Sequence, residues 1–134
     1  MLLQEAIFAY LTDAAQETAA IVAERVYPNL VPQEAPLPCV AYQVIGAPQR
    51  WLAHDGPTDL ARVMVQFTAM AGRYLGSQNL ARALRNDLDG FTGVMGGAGG
   101  VEIERAHVEN QIDDFENVDV DVVRIDVSFI HKEQ

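Results

Sequence analysis

Apolar residues return every three or four positions at the start of the chain, at Leu3, Ile7 and then Tyr10 or Leu11. That interval is the turn of an α-helix, and it predicts an amphipathic helix over residues 2–12. A second helical segment is expected from Ala14 to Glu24, where Ala19, Ile21 and Val22 sit among good helix formers. Tyr27–Pro28 should end it, because proline lacks a backbone donor and biases its predecessor toward extended geometry. The period then changes to two. Val40, Tyr42 and Val44 alternate within a first strand, Leu37–Ile45, and Val63, Val65, Phe67 and Ala69 line one face of a second, Leu60–Ala71. The fourteen residues between them, Gly46–Asp59, read as a loop too long for a tight hairpin, with Trp51 in it.

Helical spacing resumes at Leu80, Leu84 and Leu88, flanked by Ala81 and Ala83, with Ser77 as the expected N-cap and Gly90 as the stop. The exposed side of this helix carries Arg82 and Arg85, and Asp89 follows Arg85 by four positions. Two further strands are expected: Phe91–Met95 leads into GGAGG and Val101 to about Val108 continues after it, and the last strand spans Val118–Ile130. Both later strands change phase. Val101 and Ile103 give way to Ala106 and Val108, and Val118, Val120 and Val122 give way to Val123, Ile125, Val127 and Phe129. A one-residue slip turns every later side chain over, so each change predicts a β-bulge or a bend. The outer halves of this pair should form a projecting hairpin tipped by NQIDDFEN, which sets Ile112 and Phe115 among Asp113, Asp114 and Glu116.

The resulting expectation is an α+β fold in one domain, residues 1–134: a four-stranded, mainly antiparallel sheet with two to three helices packed on one face, plus the projecting hairpin. The other face stays uncovered. Met64, Met70 and Ile130 fall on it, and an apolar patch of that kind is expected to bury itself against another copy of the chain. One segment does not fit a simple connector. Arg25–Tyr42, RVYPNLVPQEAPLPCVAY, holds four prolines in eighteen residues together with Val, Leu and Tyr, a composition too stiff and too apolar for a flexible linker. Prolines hold an extended shape at low ordering cost. Such an arm either lies across a neighbouring subunit or crosses the edge of its own domain.

Charge narrows the choice of function. The formal net charge is −10, from nineteen acids against nine Lys and Arg, which disfavours phosphate-backbone binding and with it sequence-specific recognition of DNA. Nine of those acids fall between Glu102 and Asp126, where Arg105 and Arg124 are the only basic residues, so this segment would repel a polyanion from whatever surface it lines. No uncharged apolar run approaches the roughly 20 residues that cross a bilayer. The first residues, MLLQEAIFAYL, lack a positive leader, and the lone Cys39 has no internal disulfide partner, so synthesis in a reducing cytoplasm is expected.

Candidate chemistry is sparse. His54, His107 and His131 are widely separated, and beyond Asp55 beside His54 none has a ligand at metal-binding spacing. GGAGG lacks the Lys and Ser/Thr of a phosphate loop and reads as a flexible turn. Cys39 lies in an apolar strand, where a thiol is usually buried and inert, and no serine has a nucleophile-elbow sequence around it. Asp113, Asp114 and Glu116 lack the glycine and terminal glutamate of a calcium loop. No enzyme, metal or cofactor is expected.

The proline-rich stretch carries a resemblance. RVYP, a short spacer and then PQEAPLPCVAY, after the N-terminal LLQEAIFAYLTDAA helix, is similar to the bacteriophage tail completion or tail terminator family, in which an Arg-Val-Tyr segment precedes a Pro-Gln and a small-Pro-aromatic-Pro approach to the first strand. Arg25, Val26, Tyr27, Pro32, Gln33, Ala35, Pro36 and Pro38 fit that pattern, while Leu37 stands where an aromatic residue is common and Cys39 is unusual. VMVQFTAM, the Leu80, Leu84 and Leu88 helix, and VVRIDVSFI follow in the family's order. The resemblance implies a virion tail protein that forms a ring, hexameric in the family, on the tail tube protein and offers a surface to the head–tail connector protein. It implies contact roles for Tyr27, Pro32 and Pro36 in the arm, for Trp51, and for Ile112 and Phe115 at the hairpin. Glu109, Asp113, Asp114 and Glu116 are then candidates to line a channel that DNA traverses. Two other readings stand beside it: a neck stopper or adaptor protein, and a small ligand-binding α+β domain with a pocket near His54 and Asp55.

Overall fold

The computed structural model describes residues 2–29, 31–32, 35–53, 56–117 and 119–132. It is an α+β fold in which helices α1 (Leu3–Leu11), α2 (Glu17–Val22) and α3 (Tyr74–Leu88) lie against a curled six-stranded sheet. In chain order the strands are β1 (Val26–Pro28), β2 (Cys39–Ala53), β3 (Gly56–Ala71), β4 (Gly93–Met95), β5 (Val101–Asn117) and β6 (Val120–Lys132). Their order across the sheet is β1-β2-β3-β6-β5-β4. The expected four strands form its antiparallel centre. The additional two are three-residue edges, β1 parallel to β2 and β4 antiparallel to β5.

The hydrophobic pattern explains the centre directly. Leu3, Ile7 and Leu11 of α1 and Leu80, Leu84 and Leu88 of α3 enter one cluster with Val40, Tyr42, Val63, Val65, Phe67, Ile125, Val127 and Phe129 of the strands. These are the positions that helical and alternating spacing put on one face. Phe67 and Phe129 meet in this core with ring centres 6.3 Å apart. Long-range polar bonds then fix the helices. Asp87 of α3 accepts the Glu17 N–H at 3.1 Å and the buried Thr18 N–H at 2.8 Å, so one carboxylate caps the first turn of α2 from another helix. The Tyr10 hydroxyl donates to the Asp87 carbonyl and its ring meets Phe91 edge-on; burial, with the Asp87 charge second, pushes its pKa up to about 12.

Several expectations are corrected. Tyr27–Pro28 does not merely terminate α2: Val26–Pro28 forms strand β1, because an edge strand tolerates a proline that has no donor to give. The expected loop Gly46–Asp59 is largely strand, with β2 running to Ala53 and β3 starting at Gly56, so Trp51 belongs to a strand. Gly46, Pro48 and Pro57 hid this. The ladder accommodates them by register shifts between Ile45 and Gln49 and between Arg50 and Leu52. Helix α2 is shorter than Ala14–Glu24, and α3 starts three residues before Ser77, whose hydroxyl donates to the Tyr74 carbonyl inside the first turn. Phe91–Met95, expected only to lead into GGAGG, contains the edge strand Gly93–Met95, and β5 continues past Val108 to Asn117, so NQIDDFEN is strand rather than tip.

The two phase changes have different causes. In β5 the pairing with β6 shifts between Ile103 and Arg105, the expected bulge, and shifts again between Val108 and Asn110. In β6 the ladder to β3 is unbroken through Val122 and Val123, which pair with Met70 and Ala69. Consecutive residues are both buried there because both faces of the sheet are covered at that end. Cys39, Ala41, Met70 and Val122 form a second cluster on the face away from the helices, with Tyr27, Val31 and Val120 packed on it. Met70 is therefore buried, not uncovered, while Met64 and Ile130 on the same face stay half-buried. GGAGG forms the turn between β4 and β5 and needs its glycines: Gly97 holds φ +78°, and a Cβ at Gly100 would stand 2.1 Å from the Met95 carbonyl oxygen.

Candidate assembly interface

The proline-rich arm starts from a clasp. Arg25, just past α2, donates through Nε to the Pro38 carbonyl at 2.8 Å and through Nη2 to the Ile21 carbonyl at 3.2 Å, which ties both ends of the arm together. Tyr27 and Val31 then lie on the second cluster. The described part of the arm thus crosses its own sheet, and it does so with Pro32 and Pro36 exposed. Leu30, Gln33 and Glu34 lie outside the described residues, as do His54 and Asp55, around which a ligand pocket was conceivable.

The two long hairpins pass beyond their short edge partners at opposite ends of the sheet, β2–β3 past the level of Leu60 and Lys132 and β5–β6 past the level of Met70 and Val122. Strand β1 covers β2 only over Val40–Tyr42, closed by Asn29 N–H donating to the Tyr42 carbonyl at 2.8 Å. Strand β4 covers β5 only over Val101–Ile103. The chain after α3 extends that cover briefly. Gly90 N–H donates to the Ala106 carbonyl at 2.8 Å, Ala106 N–H to the Phe91 carbonyl at 2.9 Å, and Val108 N–H to Asp89 Oδ1 at 3.0 Å. Asp89 also stands 3.4 Å from His107 Nδ1, so its carboxylate serves β5. Past Tyr42 on β2 and past Val108 on β5, no strand among the described residues lies outside either edge.

Register assigns the faces of the outer hairpin, since residues opposite each other across a ladder point the same way. Asn110, Ile112 and Asp114 pair with Asp126, Arg124 and Val122 on the face away from the helices. Gln111 and Asp113 pair with Ile125 and Val123 and turn toward the helices. The candidate acids are accordingly divided. Asp113 accepts from Gln78 Nε2 at 3.1 Å and from the Tyr74 hydroxyl at 3.4 Å. Asp114 forms an ion pair with Arg124 on the other face, and Glu109 accepts from the Ser128 hydroxyl at 2.7 Å with Arg62 Nη2 at 3.8 Å. Ile112 is 51% exposed beside Arg124, whereas Phe115, Glu116 and Trp51 are placed only by their strands, β5 and β2.

Between α3 and the open edge of β5 runs a shallow groove of about 560 Å³, lined by Arg85, Val108, Glu109, Asn110, Gln111 and Asp113. Gln111 Oε1 is buried there without a hydrogen-bond partner. Sequence reasoning passed over Gln111 and this edge. The signals for them were weak: the polar run Glu109–Gln111 after Val108, and Pro48 inside β2, which marks an edge strand. Among the described residues no group of three His, Cys, Asp or Glu is placed to hold a metal ion, and no helix is long and apolar enough to cross a membrane.

A fold built of two long hairpins with open edges, and a clasped proline arm, is matched by known proteins. The family model of the tail completion protein gp17 matches residues 5–131. The chain belongs to the tail completion protein gp17 family. Its role is that of a structural component of a phage-type virion tail, assembled with other tail or virion components. A chain in the virion of a native gene transfer agent particle has a similar fold, with a TM-score of 0.66 at 16% identity over 95% of this chain and 93% of that one. No curated protein matches the sequence significantly.

Proposed function

We propose that this tail completion protein is a tail terminator: copies of the chain close into a ring on the end of the tail tube and present a surface to the head–tail connector. The family match over residues 5–131 carries the reading. The open-edged hairpins support it, because they supply two separate contact surfaces on a fold whose helix-covered core is complete without them. Tyr27, Pro32 and Pro36 of the arm, Trp51 of β2, and Ile112 and Phe115 of β5 are the proposed contact residues. Of the candidate acids of β5, Glu109 and Asp114, which share the face away from the helices, are proposed to face the channel, where negative charge keeps DNA from adhering, while Asp113 turns to α3 and is not.

Electron microscopy of particles made without the protein tests the assignment. Tails of uncontrolled length are expected; tails of normal length beside unjoined heads would instead make it a neck stopper or adaptor. Complementing the same particles with a chain carrying Glu109→Lys and Asp114→Lys should restore tail length yet slow DNA ejection, and ejection at the normal rate would refute the channel lining.

A further inference from the structure

The register shows which backbone groups the two open edges offer. In β2 the N–H of Val40 and the carbonyl of Tyr42 bond outward, to Arg25 and Asn29, so by alternation the N–H and C=O of Val44 point outward too, past the end of β1. In β5 the outward groups are those of Ala106 and Val108; after the shift between Val108 and Asn110 they become those of Gln111 and Asp113. Unsatisfied rows of this kind are templates for another strand, and natural sheets normally blunt them with charge or with a covering segment. Here the β5 edge also borders the groove lined by Arg85, and Gln111, which lines it too, keeps a buried Oε1 without a hydrogen-bond partner.

Resting on the ring reading above, we propose that the open edge of β5 receives the open edge of β2 from a second copy, as an antiparallel strand that continues the sheet from one subunit into the next. Three observations select β2 as the occupant. The first is charge: β5 carries six acids against Arg105, a formal −5, whereas β2 carries Arg50 and no acid, so β5 against β5 sets like charges together and β2 against β5 does not. The second is direction. The successive antiparallel pairings of β2, β3, β6 and β5 leave β2 and β5 running oppositely, so a neighbour related by rotation presents its β2 antiparallel to β5. Ile45 stands level with Met64 and Ile112 with Thr68, so the axis is inclined to the strands and staggers the neighbour by the four residues between those levels, as strand tilt does in a closed barrel. Such a head-to-tail contact closes into a ring when the rotation divides a full turn.

The third observation is apolar. Ile45 and Ile112 share the face away from the helices, and they are 39% and 51% exposed, one at each open edge. Both direct their own backbone groups inward to β3 and β6. Facing each other across the junction they would form a non-hydrogen-bonded pair, the closer of the two antiparallel pairings, at a Cα separation of about 4.5 Å. The junction therefore buries the two side chains that each edge leaves in water.

Full-length protein carrying Ile45→Cys and Ile112→Cys, with Gln43→Cys as the next position on that face of β2, is oxidised alone and on tail tubes from particles lacking the protein. Disulfides between unlike positions are expected to give a ladder of covalent multimers that ends at the ring size, while each single variant gives none. Gln111→Pro removes an outward N–H and no ladder bond; it should keep its melting temperature within about 5 °C and lose at least tenfold in assembly. A ring that forms without mixed disulfides, or one that Gln111→Pro leaves intact, overturns the junction while the terminator reading stands. A chain that stays monomeric both alone and on tubes overturns the ring and the junction together.

Discussion

The centre of the sheet and its outer β5 edge are built on opposite terms. In the central strands Phe67 and Phe129 are fully buried on the helix side, and at Met70 and Val122 the second face is covered too, by the arm through Tyr27 and Val31. On the outer stretch of β5 beside them one face carries an exposed Ile112 next to the Asp114–Arg124 pair, and the other carries Asp113 reaching Tyr74 and Gln78 at the start of α3. Apolar burial contributes roughly 25 cal/mol per Å², and exposed ion pairs contribute a median of about 0–1 kcal/mol. Stability thus resides in the centre, which leaves the far end of β5 free to be shaped by what it touches.

That contrast is open to direct measurement. Phe129→Ala removes a fully buried ring from the central core and should lower the unfolding free energy by about 3–5 kcal/mol in a urea titration. Asp87→Ala strips the cap from α2 and leaves two amides without their acceptor, one of them buried; a loss of about 1–2 kcal/mol is expected. Ile112→Ser at the open end should change stability by less than about 0.5 kcal/mol while weakening ring formation on sedimentation. Should Ile112→Ser destabilise the isolated chain as much as Asp87→Ala does, the far end is part of the core and the contrast fails.

How much of this was legible from the sequence follows the same division. Strong periodicity fixed α1, α3 and the centres of β2, β3, β5 and β6, because each places a whole row of side chains in the core. Where burial is weak, composition misleads. Gly46, Pro48 and Pro57 made half of a hairpin read as a loop, and the polar run Asn110–Asp114 hid the length of β5, since an open edge imposes no hydrophobic alternation. The adjacent buried pair Val122 and Val123 imitated a bulge because a sequence does not reveal that the arm covers the second face. The facing of the candidate acids was not legible: Asp113 and Asp114 are neighbours that serve opposite faces. Gln111 carried little signal, for its distinction is a buried acceptor left unmatched.

Two of the three extra residues accommodated along β5 have a joint effect. The shift after Ile103 reverses the strand's parity and the shift after Val108 restores it, so only the short stretch between them is inverted, with Ala106 turned to the core and Arg105 away from it. Were either bulge to close with its extra residue kept, the ladder beyond it would slip by one and transpose the distal strand wholesale, exchanging Ile112 and Asp114 for Gln111 and Asp113 on the outward side. Closing both would spare the distal facing and instead press a guanidinium against the underside of the helices. Register slips in this strand are therefore coupled like a parity check: an odd error scrambles what the subunit shows its surroundings, and an even one is felt only inside.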